Sequence, residues 1–271
     1  MRKAAVIGWP IQHTKSPLIH SHWLEKYGLE GAYDAVAIKA EDLESGIQRL
    51  IDDGYCGFNV TVPHKQSVIS YMDYLRADAE RIGAVNTVII GDDGKMEGRN
   101  TDHFGFAENL KNRAPNFKPS SSSVVVLGAG GAARGVVYAL IDMGVRDIII
   151  VNRTFATARA LAEAFPPAKA KVWEAVPDLF ENASLVINTT SLGMKGQPPL
   201  EVDLRPLPET AIVCDIVYNP LDTELLKDAK RRGLKTVTGI GMLLHQARPA
   251  FEAFFGTLPE IDDALIKKVL A

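Results

Sequence analysis

The sequence predicts an α/β protein of two domains, each built on a mostly parallel β-sheet. A chain of 271 residues with 46% hydrophobic side chains is long enough for two cores. Short runs of β-forming residues alternate with helical patterns, and this alternation is typical of parallel strands covered by helices. The alternation stops at the polar stretch 111–123, which ends in four serines, and then begins again.

The first hundred residues contain three predicted strands, two helices and a hairpin. The strands are predicted at 4–7, 33–38 and 57–62, the helices at 18–27 and 43–52, and the hairpin at 85–90 and 95–99. In the third strand, strict alternation would turn Asn59 and Thr61 to one face and the two valines of this stretch to the other. Pro63 would then end the strand.

The second half follows the element order of a Rossmann domain. Its strands are predicted at 124–127, 148–151, 171–173, 185–188, 212–217 and 235–237, and two amphipathic helices are predicted at 242–255 and 262–270. A G-x-G-x-x-A turn follows the first of these strands and opens a helix, which brings bare backbone N–H groups to a pyrophosphate. The residues predicted to bind a dinucleotide there are Gly128, Ala129, Gly130, Gly131 and Ala132.

The end of the next strand indicates which dinucleotide is bound. A site for NAD usually carries Asp or Glu at this point, where the carboxylate accepts hydrogen bonds from the ribose 2′-hydroxyl. This chain has Asn152, Arg153 and Thr154 instead. A guanidinium attracts a 2′-phosphate and a carboxylate repels it, so the sequence predicts NADP as the cofactor.

A nicotinamide cofactor in the second domain requires a substrate and a proton donor in the first. Lys65 follows a predicted strand end, where open α/β sheets place ligands, and lies near Asn59 and Thr61. Asp102 begins a predicted helix and could pair with the ammonium group of Lys65. Taken one at a time, such residues also have ordinary explanations: Lys65 and Asp102 as surface charges, Asn86 as a turn residue and Ser16 as a helix N-cap.

Composition narrows the class of protein. A net charge of −3, from 30 basic and 33 acidic residues, offers no basic surface for nucleic acid or anionic membranes. Cys56 and Cys214 lie far apart in apolar runs, which favours free thiols in a reducing compartment. No leader and no membrane span are recognisable, so we expect a cytoplasmic protein that acts on a small molecule as a monomer or homodimer.

Seven motifs, in their order and spacing, give the chain a resemblance to shikimate dehydrogenases over essentially its whole length. They are T-K-S-P at 14–17, N-V-T-V-P-H-K at 59–65, G-A-V-N-T at 83–87, N-T-D-H-F-G at 100–105, G-A-G-G-A-A-R at 128–134, N-R-T at 152–154 and G-I-G-M-L-L-H-Q-A at 239–247. The resemblance implies an NADP-dependent oxidoreductase that interconverts 3-dehydroshikimate and shikimate on the route to chorismate and aromatic amino acids.

The resemblance also implies roles for individual residues. Lys65 would exchange the proton of the reacting hydroxyl with Asp102 as its partner, and Thr14 with Ser16 would bind the substrate carboxylate. The side chains implied in further substrate contacts are Asn59, Thr61, Asn86, Tyr218 and Gln246. Ile216 and Gly239 would lie at the nicotinamide end, and Thr189 to Ser191 would line the same cleft.

These implications set expected domain limits. Residues 1–103 would form the substrate-binding domain, completed by the C-terminal helices at about 242–271, and residues 104–241 would form the Rossmann NADP-binding domain across a cleft. Two positions depart from the family pattern. Thr14 replaces the usual Ser, which adds a methyl group and stiffens χ1. Thr157 replaces a usual Lys or Arg, and the nearest base is Arg159, so one contact to the 2′-phosphate would be missing.

Other functions fit the sequence less well. A quinate/shikimate dehydrogenase would share Lys65 and Asp102 but often uses NAD, which Arg153 argues against. A non-catalytic NADP(H)-binding redox sensor need not retain both Lys65 and Asp102. Metal catalysis is not indicated, because His20 and His22 have no third ligand in view and no H-E-x-x-H motif occurs. Ser191 lacks the flanking glycines of a serine hydrolase.

Overall fold

The computed structural model describes residues 1–270, which divide into two compact units. Unit 1 comprises Met1–Asp102 together with the chain from Leu244 onwards, and unit 2 comprises His103–Leu243. Each unit is an α/β body with its own six-stranded sheet. Helices α4 (Asp102–Arg113) and α9 (Ile240–Phe255) lie at the two limits between the units.

Unit 1 is built on a mixed sheet in the strand order β2-β1-β3-β5-β6-β4. Its strands are β1 (Arg2–Gly8), β2 (Gly31–Ala37), β3 (Tyr55–Val60), β4 (Tyr74–Leu75), β5 (Thr87–Ile90) and β6 (Met96–Arg99). Its remaining helices are α1 (Ser16–Tyr27), α2 (Leu43–Asp52), α3 (Ala77–Ile82) and α10 (Asp263–Leu270). The central strand β1 runs parallel to β2 and β3, whereas β5 runs antiparallel to both β3 and β6.

The C-terminal helices belong to unit 1 because aromatic side chains hold them there. Trp23 of α1 is fully buried and donates its indole N–H to the carbonyl oxygen of Glu260 at 3.0 Å. Phe251 of α9 packs edge-on against Trp23, with 5.4 Å between the ring centroids. Large aromatic side chains contribute strongly to core burial, so the end of the chain helps to cover the sheet that the start of the chain forms.

Unit 2 has an entirely parallel sheet in the order β12-β11-β10-β7-β8-β9. Its strands are β7 (Ser123–Leu127), β8 (Asp147–Val151), β9 (Lys169–Lys171), β10 (Leu185–Asn188), β11 (Ile212–Asp215) and β12 (Lys235–Val237). Its further helices are α5 (Gly131–Asp142), α6 (Phe155–Ala164), α7 (Val176–Phe180) and α8 (Glu224–Arg231). This is the Rossmann strand order, in which ligands bind where the order reverses, here beyond β7 and β10.

Four short 3₁₀ helices complete the described elements, at Ala40–Asp42, Ser67–Tyr71, Pro119–Ser121 and Trp173–Ala175. The strand predicted at 171–173 lies at Lys169–Lys171, because Trp173 already begins one of these turns and packs against the core of unit 2. Strand β11 ends at Asp215 rather than at residue 217. No helix among residues 1–270 combines the length and the apolar character needed to cross a membrane.

The end of β3 differs from its prediction. The strand ends at Val60, two residues early, and Val62 is 63% exposed. Of the two valines predicted to anchor this stretch, only Val60 is buried in the core. Backbone bonds from Thr61 N–H to Ile7 and from Trp9 N–H to the Val62 carbonyl oxygen hold the chain beyond the strand end. The chain turns there because Pro63 has no N–H with which to continue a ladder.

Candidate active site

Lys65 and Asp102 form an ion pair in unit 1, with 2.5 Å between Nζ and Oδ2. Their side chains are 14% and 5% exposed. Both residues are therefore largely buried, and neither is a solvated surface charge. The pair leaves the ammonium group within reach of solvent while the carboxylate is buried. A charge-assisted bond of this length holds Lys65 in one orientation.

Backbone contacts place both members of the pair. The carbonyl oxygen of Lys65 accepts a bond of 2.7 Å from the N–H of Val85, just before β5. Asp102 is the first residue of α4, and its own N–H donates to the side-chain oxygen of Asn100 at 3.0 Å. The positive end of a helix dipole stabilises a carboxylate in this position.

The amide of Asn86 connects the pair to the C-terminal helices. Its nitrogen faces three acceptors: Asp102 Oδ1 at 3.0 Å, Thr101 Oγ1 at 2.9 Å and Gln246 Oε1 at 3.2 Å. Its oxygen accepts the backbone N–H of Thr101 at 2.8 Å. Because a backbone N–H can only donate, the orientation of this amide is determined. One hydrogen-bonded cluster therefore contains Lys65, Asp102, Asn86 and Gln246. Asn86 connects the other members of this cluster and does not serve only as a turn residue.

The two hydroxyl residues near the start of the chain lie together. Thr14 Oγ1 donates to Ser16 Oγ at 3.3 Å, and the backbone N–H of Ser16 is 3.3 Å from Thr14 Oγ1. Ser16 is the first residue of α1, and the N-cap position belongs to Lys15. The hydroxyl of Ser16 is therefore not used as a helix cap.

Asn59 and Thr61 occupy different environments. Asn59 is buried, and its amide makes three bonds: from Tyr33 Oη at 2.6 Å, to the Asn86 carbonyl oxygen at 3.0 Å and to Thr87 Oγ1 at 3.0 Å. Both of its donors are thus engaged within unit 1. Thr61 is half-buried and lies beside Gly8. A Cβ atom at position 8 would lie 2.4 Å from the Thr61 methyl group, so only glycine leaves room for it.

The glycine turn of unit 2 has the conformation that its sequence predicts. Gly128 has φ of +109°, and a Cβ there would lie 2.5 Å from the hydroxyl of Thr189, so no other residue fits. A Cβ on Gly130, the N-cap of α5, would meet no atom within 4 Å. The start of a twelve-residue helix with open space above its N-cap can accept an anionic group such as a pyrophosphate.

The N-R-T motif lies where β8 ends and α6 begins. Asn152 donates its side-chain N–H to the Thr154 carbonyl oxygen at 3.0 Å, which closes this turn. Arg153, Thr154 and Thr157 are exposed. Arg159, the base nearest to Thr157, forms an ion pair with Glu163 at 3.3 Å and is engaged along its own helix. Arg153 is the exposed cation at this turn.

Asp215 organises the loop after β11, and the motifs did not single it out. Its carboxylate accepts bonds from Asn188 Nδ2 at 2.9 Å, Val217 N at 2.9 Å and Thr223 Oγ1 at 2.7 Å. Burial nevertheless raises the pKa of Asp215 to about 6. The sequence signal available was the D-I-V-Y-N-P stretch, in which an acidic residue ends an apolar strand.

The predicted nicotinamide residues lie next to this carboxylate. Ile216 follows Asp215 directly, and Tyr218, which was predicted as a substrate contact, is half-buried two residues further on. A Cβ on Gly239 would lie 2.2 Å from the carbonyl oxygen of Ile216, so these two backbone segments touch. In residues 1–270, no group of three or more His, Cys, Asp or Glu side chains could hold a metal ion.

Two family models match the chain. One is described as the shikimate dehydrogenase substrate binding domain and matches residues 6–88. The other is described as shikimate / quinate 5-dehydrogenase and matches residues 109–194. The first match covers Lys65 and Asn86, and the second covers the glycine turn and the N-R-T motif.

Full-length relatives extend this similarity. The chain is 50% identical to a protein of Rhodospirillum rubrum named shikimate dehydrogenase (NADP(+)), over 99% of this chain and 97% of that protein. A protein of Paramagnetospirillum magneticum with the same name is 48% identical, over 100% and 98% of the two chains. Each alignment therefore spans both units.

Two solved structures share the fold. Shikimate 5-dehydrogenase from Thermus thermophilus, in complex with NADP(H) and shikimate, is 36% identical with a TM-score of 0.87 and covers 100% of this chain and 98% of that one. Quinate dehydrogenase from Corynebacterium glutamicum, in complex with NAD, is 30% identical with a TM-score of 0.89 and covers 99% and 97%.

Proposed function

This chain belongs to the shikimate dehydrogenase family, and we propose that it catalyses the reversible, NADP-dependent reduction of 3-dehydroshikimate to shikimate. This step lies on the route to chorismate and the aromatic amino acids. The observation that carries the proposal is the buried Lys65–Asp102 pair, bonded through Asn86 to Gln246, in a chain whose full-length relatives are named for this activity.

The residues of unit 2 fit NADP. Gly128 must be a glycine, and the open N-cap of α5 at Gly130 suits a pyrophosphate. Arg153 would pair with the 2′-phosphate, while Asn152 and Thr154 shape the turn around it. The remainder of the cofactor site would be lined by Ala129, Gly131, Ala132, Thr157, Ile216 and Gly239. When bound, NADPH supplies the hydride of the reaction.

Lys65 supplies the proton that must accompany hydride transfer. The oxygen of the reduced carbonyl gains negative charge, and the ammonium group of Lys65 donates a proton to it. Asp102, held by Asn86 and the start of α4, orients the ammonium group and remains an acceptor after the proton has left. The 14% exposure of Lys65 allows water to return the proton.

The other polar side chains of unit 1 orient the substrate. We assign the ring hydroxyls to Asn86, Gln246 and Thr61, and the carboxylate to Thr14 and Ser16, with Tyr218 of unit 2 as a further contact. Asn59 completes the proposed substrate contacts. Like Asn86, it has its N–H donors engaged inside unit 1, and it also holds Asn86 in place through the Asn86 backbone carbonyl oxygen. Location in the cytoplasm and a monomeric or homodimeric state complete the proposal.

Initial rates with shikimate or quinate, each with NADP or NAD, test this function. We expect the kcat/KM for shikimate with NADP to exceed that for shikimate with NAD by about tenfold or more, the discrimination that one charge-assisted bond supplies, and to exceed the values for quinate with either cofactor. Preference for quinate with NAD would instead favour the second candidate, suggested by the quinate dehydrogenase neighbour. Binding of NADP without turnover of either substrate would indicate a sensor.

A further inference from the structure

The carboxylate of Asp215 is buried at the end of β11 and takes part in no step of the proposed reaction. Its two oxygens have different partners: Oδ1 accepts bonds from Asn188 and from the backbone of Val217, and Oδ2 accepts a bond from Thr223. We propose that Asp215 is a positioning residue whose Oδ1 joins the loops after β10 and β11 into one support for the nicotinamide end of the cofactor. This inference rests on the proposed function, because it takes Ile216 as a residue at that end.

The loop after β10 folds around the side chain of Asn188, which is completely buried. The side-chain oxygen of Asn188 accepts the backbone N–H of Thr190 at 2.9 Å and the Thr190 hydroxyl at 2.7 Å. The side-chain nitrogen donates to the Leu192 carbonyl oxygen at 3.1 Å and to Asp215 Oδ1 at 2.9 Å. Because a backbone N–H can only donate, the orientation of this amide is determined. Asn188 therefore attaches its loop to the carboxylate.

The loop after β11 is attached to the same carboxylate oxygen. The backbone N–H of Val217 donates to Asp215 Oδ1 at 2.9 Å, and an aspartate bonded two residues on in this way closes a tight turn. Within this turn the backbone N–H of Ile216 donates to the Asn188 carbonyl oxygen at 3.1 Å. The Val217 side chain is buried, whereas Ile216 is half-buried. The backbone of Ile216 is therefore held both by β10 and by the turn that the carboxylate closes.

The two loops touch both backbone segments assigned to the cofactor. A Cβ on Gly128 would lie 2.5 Å from the Thr189 hydroxyl, so the loop after β10 lies against the glycine turn. A Cβ on Gly239 would lie 2.2 Å from the Ile216 carbonyl oxygen, so the loop after β11 lies against the segment before α9. Strands β7 and β10 are the neighbours at which the strand order reverses, and a Rossmann sheet binds its ligand at that point.

The glycine turn also has attachments that do not involve Asp215. The Thr189 hydroxyl donates to the Leu127 carbonyl oxygen at 2.8 Å, and the backbone N–H of Gly128 donates to the Val151 carbonyl oxygen at 2.8 Å. These bonds would survive loss of the carboxylate, whereas the turn that holds Ile216 would open. We therefore expect Asp215 to govern the nicotinamide end of the site and not the pyrophosphate end.

The second oxygen of the carboxylate has a separate purpose. Oδ2 of Asp215 accepts the hydroxyl of Thr223 at 2.7 Å, and Thr223 is the N-cap of α8. Thr223 is buried, and its hydroxyl accepts the backbone N–H of Leu226 at 3.4 Å. Loss of this hydroxyl would remove one bond from the carboxylate and leave both loops attached to Oδ1. The two oxygens therefore allow the positioning role to be separated from the stability of unit 2.

Replacement of Asp215 by alanine tests the inference with two ligands. We expect Asp215→Ala to lower kcat with shikimate and NADP by about 10- to 100-fold, because hydride transfer depends on the position of the reacting carbon. The Kd for NADP should rise by about 3- to 10-fold, as one or two weakened contacts would give. The Kd for adenosine 2′,5′-bisphosphate should stay within about twofold, because this fragment lacks the nicotinamide. Calorimetry with each ligand alone measures both Kd values.

Two further variants separate positioning from folding. Asp215→Asn should bring kcat back to within about threefold of the wild type, because the amide can make the same three contacts. Thr223→Val is the matched control, since it leaves Oδ2 of Asp215 without a donor but keeps both bonds to Oδ1. It should lower the urea midpoint of unit 2 and leave kcat and the Kd for NADP within about threefold of the wild type.

Three results would overturn the inference and leave the proposed function intact. They are an Asp215→Ala variant with the kcat and Kd of the wild type, an Asp215→Asn variant as slow as Asp215→Ala, and a Thr223→Val variant as slow as Asp215→Ala. Absence of shikimate turnover or of NADP binding in the wild type would overturn the proposed function itself. The two failures are distinguishable because the first three results require an active wild type.

Hydrogen exchange in the wild type keeps the inference testable if Asp215→Ala does not fold. The backbone amides of Thr190 and Val217 lie in the two loops, and their acceptors are Asn188 and Asp215. Loops that are joined should open together, so we expect the two protection factors to agree within about threefold. Saturating NADP should slow both amides by about tenfold or more, and adenosine 2′,5′-bisphosphate should leave both within about twofold. Equal slowing by the two ligands, or independent exchange of the two amides, would contradict the inference.

Discussion

Replacement of Asp215 by asparagine should change how the stability of unit 2 depends on pH. Asp215 is fully buried at the end of β11, and burial raises its pKa from 3.8 to about 6 although its carboxylate accepts three hydrogen bonds. Asparagine has nearly the same shape. The side-chain oxygen of the asparagine can accept the hydrogen bonds from Asn188 and Val217. Its side-chain nitrogen can donate to Thr223 Oγ1, provided that the Thr223 hydroxyl proton rotates away from it.

The sign follows from proton linkage. Between about pH 4 and pH 6 the folded state holds a proton on Asp215 that the unfolded state has released, so the free energy of unfolding falls as pH rises. The loss is complete above about pH 6. A difference of about two pKa units, at 1.36 kcal/mol per unit, corresponds to about 3 kcal/mol. Asparagine does not titrate, so the variant should lack this loss.

The measurement must isolate unit 2 from other titrations. His20 in unit 1 has a pKa lowered to about 3, so its contribution to stability is lost as pH falls, the opposite sign in an overlapping range. The variant-minus-wild-type difference cancels this contribution. Trp173 is the tryptophan of unit 2, and the other two belong to unit 1. Urea titrations followed by ¹⁹F NMR of 5-fluorotryptophan protein therefore report unit 2 separately.

The expected result is a difference in unfolding free energy that shifts in favour of Asp215→Asn by about 3 kcal/mol from about pH 4 to about pH 7. Asp203→Asn is the control, because Asp203 is exposed and its pairing with Arg205 lowers its pKa. Its titration lies below about pH 4, where the sign is opposite, so the Asp203→Asn difference should stay flat from about pH 4 to about pH 7. A difference for Asp215→Asn that stays flat across this range would refute the argument that burial outweighs the three hydrogen bonds.

Two further predictions concern the proposed reaction. Lys65→Ala should lower kcat by about 10² or more and leave the KM for shikimate within a few fold, because general acid catalysis is lost while Asn86 and Gln246 remain. Steady-state rates check this, and a loss confined to KM would argue against proton transfer by Lys65. Arg153→Ala should raise the KM for NADPH by about tenfold or more and leave the KM for NADH nearly unchanged. Equal increases in the KM for NADPH and the KM for NADH would contradict binding of the 2′-phosphate by Arg153.

Several features could be predicted from the sequence because they depend on local backbone requirements. The turn at Gly128 needs a positive φ, and only glycine supplies it readily, so the motif between an apolar strand and a helix predicts this turn. The parallel sheet of unit 2 follows from apolar strands alternating with helices. The family resemblance is confirmed by relatives that match over the whole chain. Both cysteines are free thiols, as their separation suggested, although Cys56 is only half-buried.

The contacts of Asn59 show where local patterns fail. Alternation predicted that Asn59 and Thr61 share one face of a strand that continues to residue 62, yet β3 ends at Val60, between them. The antiparallel register of β3 with β5 places Asn59 opposite Thr87, which supplies a hydrogen-bond partner. Strand register depends on how two distant segments pair, and a side-chain period carries no information about the partner strand.

The sequence by itself determined the two α/β units, the glycine turn, the arginine beside it and the pairing expected of Lys65 and Asp102. Only the tertiary structure decided which polar groups serve them: Tyr33 and Thr87 in unit 1, and Asp215 with Asn188 in unit 2. The reason is physical. Backbone conformation is encoded by neighbouring residues, whereas burial and hydrogen bonding are settled only when segments far apart in the chain exclude water together.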